Sequence, residues 1–202
     1  TTDMSGIMFK MLNKSRGPAV WSPRAQCDKK LYSIFMQNSL ISQKNLDILQ
    51  GTAVKLIIKN NKVTGVITQI AEEISAKSIV VTTGTFLNGK IFVGKNEFDG
   101  GRFNEVSSIN LPMSLKEDCG LEIQRFTTCT PPRINGNSIN YEDMIEQLPD
   151  NPPIPFSHFT DIKKWQESKK QISCWLVYTN ETTHKIIQDN IDDSSLYNGL
   201  AD

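Results

Sequence analysis

The spacing of apolar residues predicts three helices. Between residues 23 and 43, Cys27, Leu31, Ile34, Phe35 and Ile41 recur at intervals typical of a helix with one buried face. The preceding Ser-Pro pair at 22–23 marks where this helix begins, because proline suits the first turn. A second helix is predicted over residues 108–119, ended by a glycine at 120. A third is predicted to begin at residue 180 or 182 and to run to 189.

Runs of β-branched and apolar residues predict the strands. Ala53–Lys59 and residues 62–70 form two such runs around an Asn-Asn pair, which is typical of a hairpin. Residues 78–83 (SIVVTT) are almost all apolar or β-branched, as expected of a strand buried on both faces of a parallel sheet. Further strands are expected at residues 46–49, 121–128 and 171–179.

The order of these elements predicts an α/β fold with an antiparallel excursion. The strand at 78–83 leads into the sequence GTFLNG, and ligands of α/β sheets bind beyond the carboxyl ends of strands. Gly84 and Thr85 therefore lie where a cofactor is expected. The phosphate-binding sequence GxGxxG is absent from the 202 residues. From residue 129 onward, prolines and acidic residues increase, which predicts a boundary between a domain at 1–130 and a subdomain at 131–202.

Composition excludes several classes of protein. No apolar run is long enough to cross a membrane, and the first residues lack the pattern of a secretion signal. The four cysteines and two histidines are spaced too widely for a zinc site, so no metal is expected. Net charge is zero, but residues 1–101 carry 13 Lys and Arg against 7 Asp and Glu. This basic half is expected to favour partners that carry phosphate, although an unevenly charged surface would look the same.

Arginine is scarce, because only five of the 22 basic residues are Arg. Where lysine fills the surface, the few arginines are candidates for sites that need a planar, bidentate donor. They are Arg16, Arg24, Arg102, Arg125 and Arg133.

Six ordered motifs resemble the MnmG (GidA) family of flavin-dependent enzymes that modify the wobble uridine of tRNA. They are GPAVWSPRAQCD (17–28), VVTTGTFLNGKI (80–91), GGR (100–102), TPPRINGNSI (130–139), PIPFS (153–157) and YTNETTH (178–184), with LYNG near residue 199. The resemblance implies part of an FAD/NAD(P)-binding domain, Rossmann-like and of the glutathione-reductase type, with a β-meander and an inserted α+β subdomain. It also implies an internal fragment, because the family's GxGxxG unit would precede residue 1, and a fragment that is inactive alone.

The resemblance implies an activity and its partners. The full-length protein is expected to act with MnmE, FAD, NADH and methylenetetrahydrofolate. Together they would add an aminomethyl or carboxymethylaminomethyl group to carbon 5 of the wobble uridine. A homodimer in the cytoplasm, or in mitochondria if the source is eukaryotic, is expected, with no membrane association. Two alternatives remain open: a truncated, non-catalytic module that binds tRNA or a partner, and an unrelated flavoprotein oxidoreductase.

The resemblance also assigns roles to residues, although it identifies no catalytic residue. Contacts to FAD are expected at Val54, Gly84, Thr85, Gly101, Arg102 and Ser108. From the residues alone, the Gly-Gly-Arg sequence suits an anion nest or a simple turn, and Ser108 suits a helix cap. Arg24 and Arg133 are expected to bind substrate, either tRNA phosphates or folate carboxylates.

Four positions depart from the family pattern inside these motifs. Trp21 replaces an arginine, Cys27 replaces a small residue, and Asn104 and Cys129 replace glycines. Loss of a glycine matters where the backbone needs a positive φ or a close approach to a ligand. These departures put the finer geometry of the cofactor site, and the activity that depends on it, in question.

Overall fold

The computed structural model describes residues 1–128, 130–195 and 197. Its helices are α1 (Thr2–Ser5), α2 (Lys29–Ile41), α3 (Asn110–Glu117), α4 (Ile162–Ser168) and α5 (Glu181–Asp189). Its strands are β1 (Gly6–Leu12), β2 (Ser22–Cys27), β3 (Ala53–Lys59), β4 (Lys62–Thr68), β5 (Glu73–Ser75), β6 (Lys90–Val93), β7 (Asn96–Asp99), β8 (Ile145–Gln147) and β9 (Cys174–Leu176). Among the described helices, none is long and apolar enough to cross a membrane.

The chain divides into two compact units. Unit 1 comprises Thr1–Ile48 and Arg133–Thr179, and unit 2 comprises Leu49–Pro132 and Asn180–Asp202. A boundary lies near residue 132, close to the expected one at 130, but the grouping differs from the expected segments 1–130 and 131–202. Residues 1–48 belong with 133–179, because backbone hydrogen bonds join β1 to that later segment.

Unit 1 is organised around β1. One edge of β1 pairs antiparallel with β2. At its other edge, Phe9 O accepts from Asp150 N at 2.9 Å, and Ile7 O accepts from Ile172 N at 2.8 Å. The Phe9 side chain is 2% exposed and meets the Trp165 ring edge-on, with 5.0 Å between ring centroids. These long-range contacts are invisible to any local pattern, and they explain the grouping.

Unit 2 is built on an antiparallel sheet of β3, β4 and β5. Helix α3 packs against β3, and the core consists of Leu56, Leu111 and Leu115. The predicted hairpin is confirmed, since β3 and β4 pair across Asn60 and Asn61. Both asparagines have positive φ, 51° and 58°, which asparagine tolerates better than most residues.

The second and third predicted helices are confirmed as α3 and α5. Gly120 follows α3 with φ 67°, and the Asn180 side chain caps α5 by accepting a hydrogen bond from Thr183 N. The first helix is shorter than predicted. It begins at residue 29 because the Asp28 carboxylate accepts hydrogen bonds from Lys30 N and Leu31 N, and the preceding residues instead form β2.

The prediction of a buried parallel strand at 78–83 is wrong for the described structure. These residues join no ladder, and Val80 is 84% exposed. A strand is defined by its hydrogen-bonded neighbours, and no described strand lies beside this segment. Residues 46–49 and 121–128 also form no strand, and the run at 171–179 contributes only β9. Among the described residues, parallel pairing is confined to one isolated bridge between Leu87 and Ser108.

Candidate functional site

Two loops of unit 2 bring together five of the six residues expected to contact a cofactor. The Thr85 hydroxyl (Oγ1) donates to Gly101 O at 2.5 Å, which ties the first loop, residues 84–89, to the second, residues 100–108. Ser108 N donates to Phe86 O and Ser108 O accepts from Asn88 N, both at 2.8 Å. The loops are therefore joined at both ends by hydrogen bonds, and the backbone around Thr85, Gly101 and Ser108 has little freedom.

Two glycines are required in this loop pair for different reasons. Gly84 has φ 56°, and a Cβ there would meet no atom within 4 Å, so backbone conformation alone requires glycine. Gly101 is buried, and a Cβ there would overlap the Phe86 ring. The bare Gly101 backbone therefore lets an aromatic ring pack directly on the loop.

Arg102 lies on the rim of the second loop, where its guanidinium is paired. Its Nε and Nη2 atoms lie 2.7 and 2.5 Å from Glu105 Oε1, and both side chains are substantially exposed. An exposed ion pair of this kind contributes about 0.2–1 kcal/mol, so a bound anion could displace the carboxylate at modest cost. Asn104 lies within this turn at φ 64°, a left-handed conformation that asparagine tolerates better than most residues and that suits the glycine expected there from the family resemblance.

The two glycine amides of the Gly-Gly-Arg sequence are not available to form the anion nest that this sequence suggested. Gly100 N donates to Gly89 O at 3.0 Å, and Gly101 N donates to Glu105 O at 3.1 Å. Both amides therefore donate their hydrogen bonds inside the loop pair. The Arg102 guanidinium is therefore the charged group of this sequence that could meet an anion.

Val54 lies apart from the two loops, on β3. The pairing of β3 with β4 shifts register between Ala53 and Lys55, so Val54 is the extra residue of a β-bulge. A bulged residue has no residue directly opposite it in the ladder. This geometry suits the expected backbone contact with a ligand.

Sequence reasoning missed one residue of the loop pair, Ser107, and it singled out Arg125, which supports the pair, only as a scarce arginine. Ser107 Oγ is buried and has no hydrogen-bond partner among the described residues. Arg125 Nη1 donates to Asn88 O at 3.0 Å, which anchors the first loop. The scarcity of arginine pointed to Arg125, but no sequence signal marks the serine. An unsatisfied buried hydroxyl costs about 1–3 kcal/mol, so it favours a polar group that completes this corner. On this ground the residues fit a polar cofactor such as FAD.

The residues expected to bind substrate lie in unit 1. Arg24 is exposed on β2, directly opposite Lys10 of β1 in the antiparallel register. Both line a small cleft with Phe156 and Asp150. Arg133 lies on an exposed loop of the same unit and does not line this cleft. Of the two expected arginines, only Arg24 is thus placed among other charged groups of a cleft.

Two carboxylates hold the backbone beneath this surface. Burial raises the pKa of Asp150, but hydrogen bonds from Lys14 and Met11 N, with the charges of Lys14 and Lys10, bring that pKa below its ordinary value. Asp3 is 5% exposed. Burial raises its pKa as well, and hydrogen bonds from Thr160, Phe156 N and Ser157 N outweigh that effect and lower it. Both groups are therefore ionised at neutral pH and bound to amides.

A third charged group lies in the same unit. Burial lowers the pKa of Lys169, and the charges of Asp3 and Cys27 only partly oppose this effect. Its Nζ donates to Met4 O at 3.2 Å and lies 5.7 Å from the centroid of the Trp165 ring. These contacts fix α1 to α4, which makes the group structural.

Two of the positions that depart from the family motifs remain to be placed. Trp21 is 47% exposed, and Cys129 lies outside the described residues.

No metal centre is found in the part of the chain that the structure describes. No three His, Cys, Asp or Glu side chains in it lie close enough together to hold an ion.

Comparison with known proteins gives consistent matches. A family model described as glucose inhibited division protein A matches residues 1–202. A tRNA uridine 5-carboxymethylaminomethyl modification enzyme MnmG from Endomicrobium trichonymphae is 57% identical, over 98% of this chain and 33% of the relative. The protein of the same name from Thermodesulfovibrio yellowstonii is 46% identical, and the match covers 98% of this chain and 31% of the relative's length.

A solved structure matches equally well. The form I crystal structure of Aquifex aeolicus GidA is 40% identical with a TM-score of 0.87, and the match covers 96% of this chain and 33% of that one. This likeness confirms the predicted α/β, Rossmann-like fold class. The chain spans about a third of the length of the relatives that it matches.

Proposed function

Since this chain belongs to the glucose inhibited division protein A family, we propose that it is part of a flavoprotein that modifies uridine in tRNA. The observation that carries the proposal is the match over the whole chain to relatives named as tRNA uridine modification enzymes. Support from geometry comes from the loop pair of unit 2 and the exposed cations of unit 1.

The loop pair and the β3 bulge would hold FAD. Val54 would contact the cofactor through its backbone at the bulge, and Arg102 would exchange Glu105 for an anionic group of the cofactor. Gly84, Thr85, Gly101 and Ser108 would set the shape of the backbone against which the cofactor lies. When bound, the flavin supplies redox chemistry for the one-carbon unit. The contribution of these residues is to bind and to orient it.

Arg24 would engage the substrate, either the phosphates of tRNA or the carboxylates of a folate. Its guanidinium is exposed and suits bidentate recognition of either group. Arg133 has the same chemistry on an exposed loop of the same unit. The complete reaction would use MnmE, NADH and methylenetetrahydrofolate, and would add an aminomethyl or carboxymethylaminomethyl group to carbon 5 of the wobble uridine. The enzyme would work as a homodimer in the cytoplasm.

The test uses the complete gene product that contains these 202 residues. The purified protein should carry flavin absorbance, and with MnmE, NADH, methylenetetrahydrofolate and unmodified tRNA it should yield a modified uridine, detected by nucleoside mass spectrometry. Absence of both flavin and product would refute the proposal.

Separate variants test the two sites. Arg102→Ala should lower flavin occupancy, whereas Arg24→Ala should leave flavin bound and weaken tRNA or folate engagement. Glu105→Gln is the matched variant, because it removes the negative charge that pairs with the Arg102 guanidinium and should not reduce flavin content. Lys62→Ala, at the exposed start of β4 in unit 2, controls for the loss of a surface cation. If neither arginine variant changes flavin content, tRNA affinity or turnover, these assignments are wrong.

A further inference from the structure

The loop between β1 and β2 places an exposed aromatic ring among cations. Trp21 is 47% exposed, and its Nε1 donates a long hydrogen bond, 3.4 Å, to Lys14 O. Asn13 Nδ2 donates to Val20 O at 3.2 Å and closes the same loop. The ring is thus attached to the loop at its nitrogen, while nearly half of the residue remains open to solvent. A single exposed indole does not by itself indicate a binding site, and the charged groups around it are needed to assign one.

The cations around this loop outnumber the acids that could neutralise them. Between residues 6 and 30 the sequence has six basic residues, Lys10, Lys14, Arg16, Arg24, Lys29 and Lys30, and one acid, Asp28. The Asp28 carboxylate is occupied in capping α2. Asp150 pairs with Lys14 at 2.9 Å. Within the described residues, no carboxylate forms an ion pair with Lys10, Arg16 or Arg24.

Two of these cations face each other across the ribbon. Lys10 and Arg24 are direct partners in the antiparallel register of β1 and β2. Like charges in directly opposed positions destabilise a pair of strands, and an anion bound to both side chains removes that penalty. The β-ribbon therefore offers a site for phosphate, and Trp21 directly precedes β2, three residues before Arg24.

We propose that Trp21 stacks on an unpaired base of the RNA substrate while Lys10 and Arg24 bind its phosphates. This inference rests on the proposed function in tRNA modification. Aromatic stacking joined to a basic groove is the usual chemistry of single-stranded nucleic-acid recognition, because every base has a flat face and a neighbouring phosphate. A base-paired helix offers the phosphates but no free base, so this surface prefers the single-stranded loop of an RNA hairpin.

The test measures binding of a fluorescently labelled RNA hairpin with an open loop to the complete gene product. Trp21→Ala should weaken binding about tenfold, which is about 1.4 kcal/mol, without changing the dependence of log K on log salt concentration. Arg24→Ala should weaken binding and reduce the magnitude of that salt slope by about 0.7, the value for one phosphate contact on a single strand. Trp21→Phe, which keeps a smaller ring, should recover part of the loss and should remove a component of the tryptophan quenching on RNA binding.

Trp175→Ala is the matched control, because Trp175 is 40% exposed in the same unit but packs on Tyr141 instead of lying in the basic loop. It should bind the hairpin like the unmodified protein. Equal affinity of the unmodified protein and Trp21→Ala, or equal affinity for the open hairpin and a blunt RNA duplex, would overturn the stacking proposal and leave tRNA recognition standing. Failure of the unmodified protein to bind any RNA hairpin would overturn both.

Discussion

Asp3 offers the sharpest test of how unit 1 is held together. Its buried carboxylate accepts hydrogen bonds from Phe156 N at 2.7 Å, Ser157 N at 2.9 Å and Thr160 Oγ1 at 2.6 Å. These bonds join residues separated by more than 150 positions in the sequence. Asp3→Asn keeps the shape of the side chain but leaves one acceptor oxygen and turns an NH2 group toward donors.

The expected cost follows from the hydrogen bonds. A bond to a charged group contributes about 1.5–3 kcal/mol, and the variant loses at least one while weakening the others, so we expect about 3 kcal/mol. That loss makes local opening about a hundredfold more frequent. Hydrogen exchange of peptides covering residues 153–160 in the complete gene product should accelerate by that factor. Asp143→Asn changes an exposed acid of the same unit and should leave exchange unchanged.

The dependence on pH has a definite sign. The pKa of Asp3 is lower in the folded chain than its ordinary value, so the unfolded state takes up a proton first as pH falls. Its contribution to stability is complete above about pH 4 and is lost as pH falls through the folded pKa. The midpoint of thermal unfolding should therefore fall less in Asp3→Asn than in the unmodified protein between about pH 6 and about pH 3. Unchanged exchange at 153–160 together with an unchanged pH profile would refute this account of Asp3.

Three further predictions concern unit 2 and its ligand. Gly101→Ala forces a methyl group into the Phe86 ring and should destabilise the unit by about 1–3 kcal/mol in urea unfolding, whereas Gly136→Ala, where a Cβ meets nothing, should be neutral. Asn104→Ala should cost about 1 kcal/mol because of its left-handed backbone, and Asn104→Gly should not. The isolated 202 residues contain no GxGxxG sequence, so they should bind FAD weakly or not at all. A sub-micromolar dissociation constant in an FAD titration would contradict that expectation.

Local signals predicted the elements that depend on local chemistry. The β3–β4 hairpin follows from an Asn-Asn turn between two β-branched runs, and α3 and α5 follow from their caps. The sequence pattern places the start of α2 too early, because two signals compete at that point. The Ser-Pro pair suits a helix start, but Asp28 caps the helix six residues later, and residues 22–27 gain a β1 partner.

The long-range organisation lay beyond the reach of local patterns. The sequence contains no sign that Asp3 binds residues 156–160, or that β1 accepts hydrogen bonds from residues near 150 and 172. Residues 78–83 show the opposite failure. Their apolar, β-branched run favours a strand, but a strand also needs a neighbour, and none lies beside it among the described residues. For the site, motifs predicted Thr85, Gly101 and Ser108, while the buried Ser107 hydroxyl is a property of packing alone.

The two candidate sites depend on different physics, and this makes their failures separable. In unit 2 the loops are closed by internal hydrogen bonds, and the Gly100 and Gly101 amides are already used, so recognition there rests on shape and on one guanidinium that must leave Glu105. In unit 1 recognition rests on cations without carboxylate partners and on an open indole. Salt should therefore weaken RNA binding steeply, because each phosphate contact releases counterions, whereas flavin retention should depend on salt only through Arg102. A flavin site as sensitive to salt as the RNA site would mean that charge, and not the fixed backbone of the loop pair, holds the cofactor.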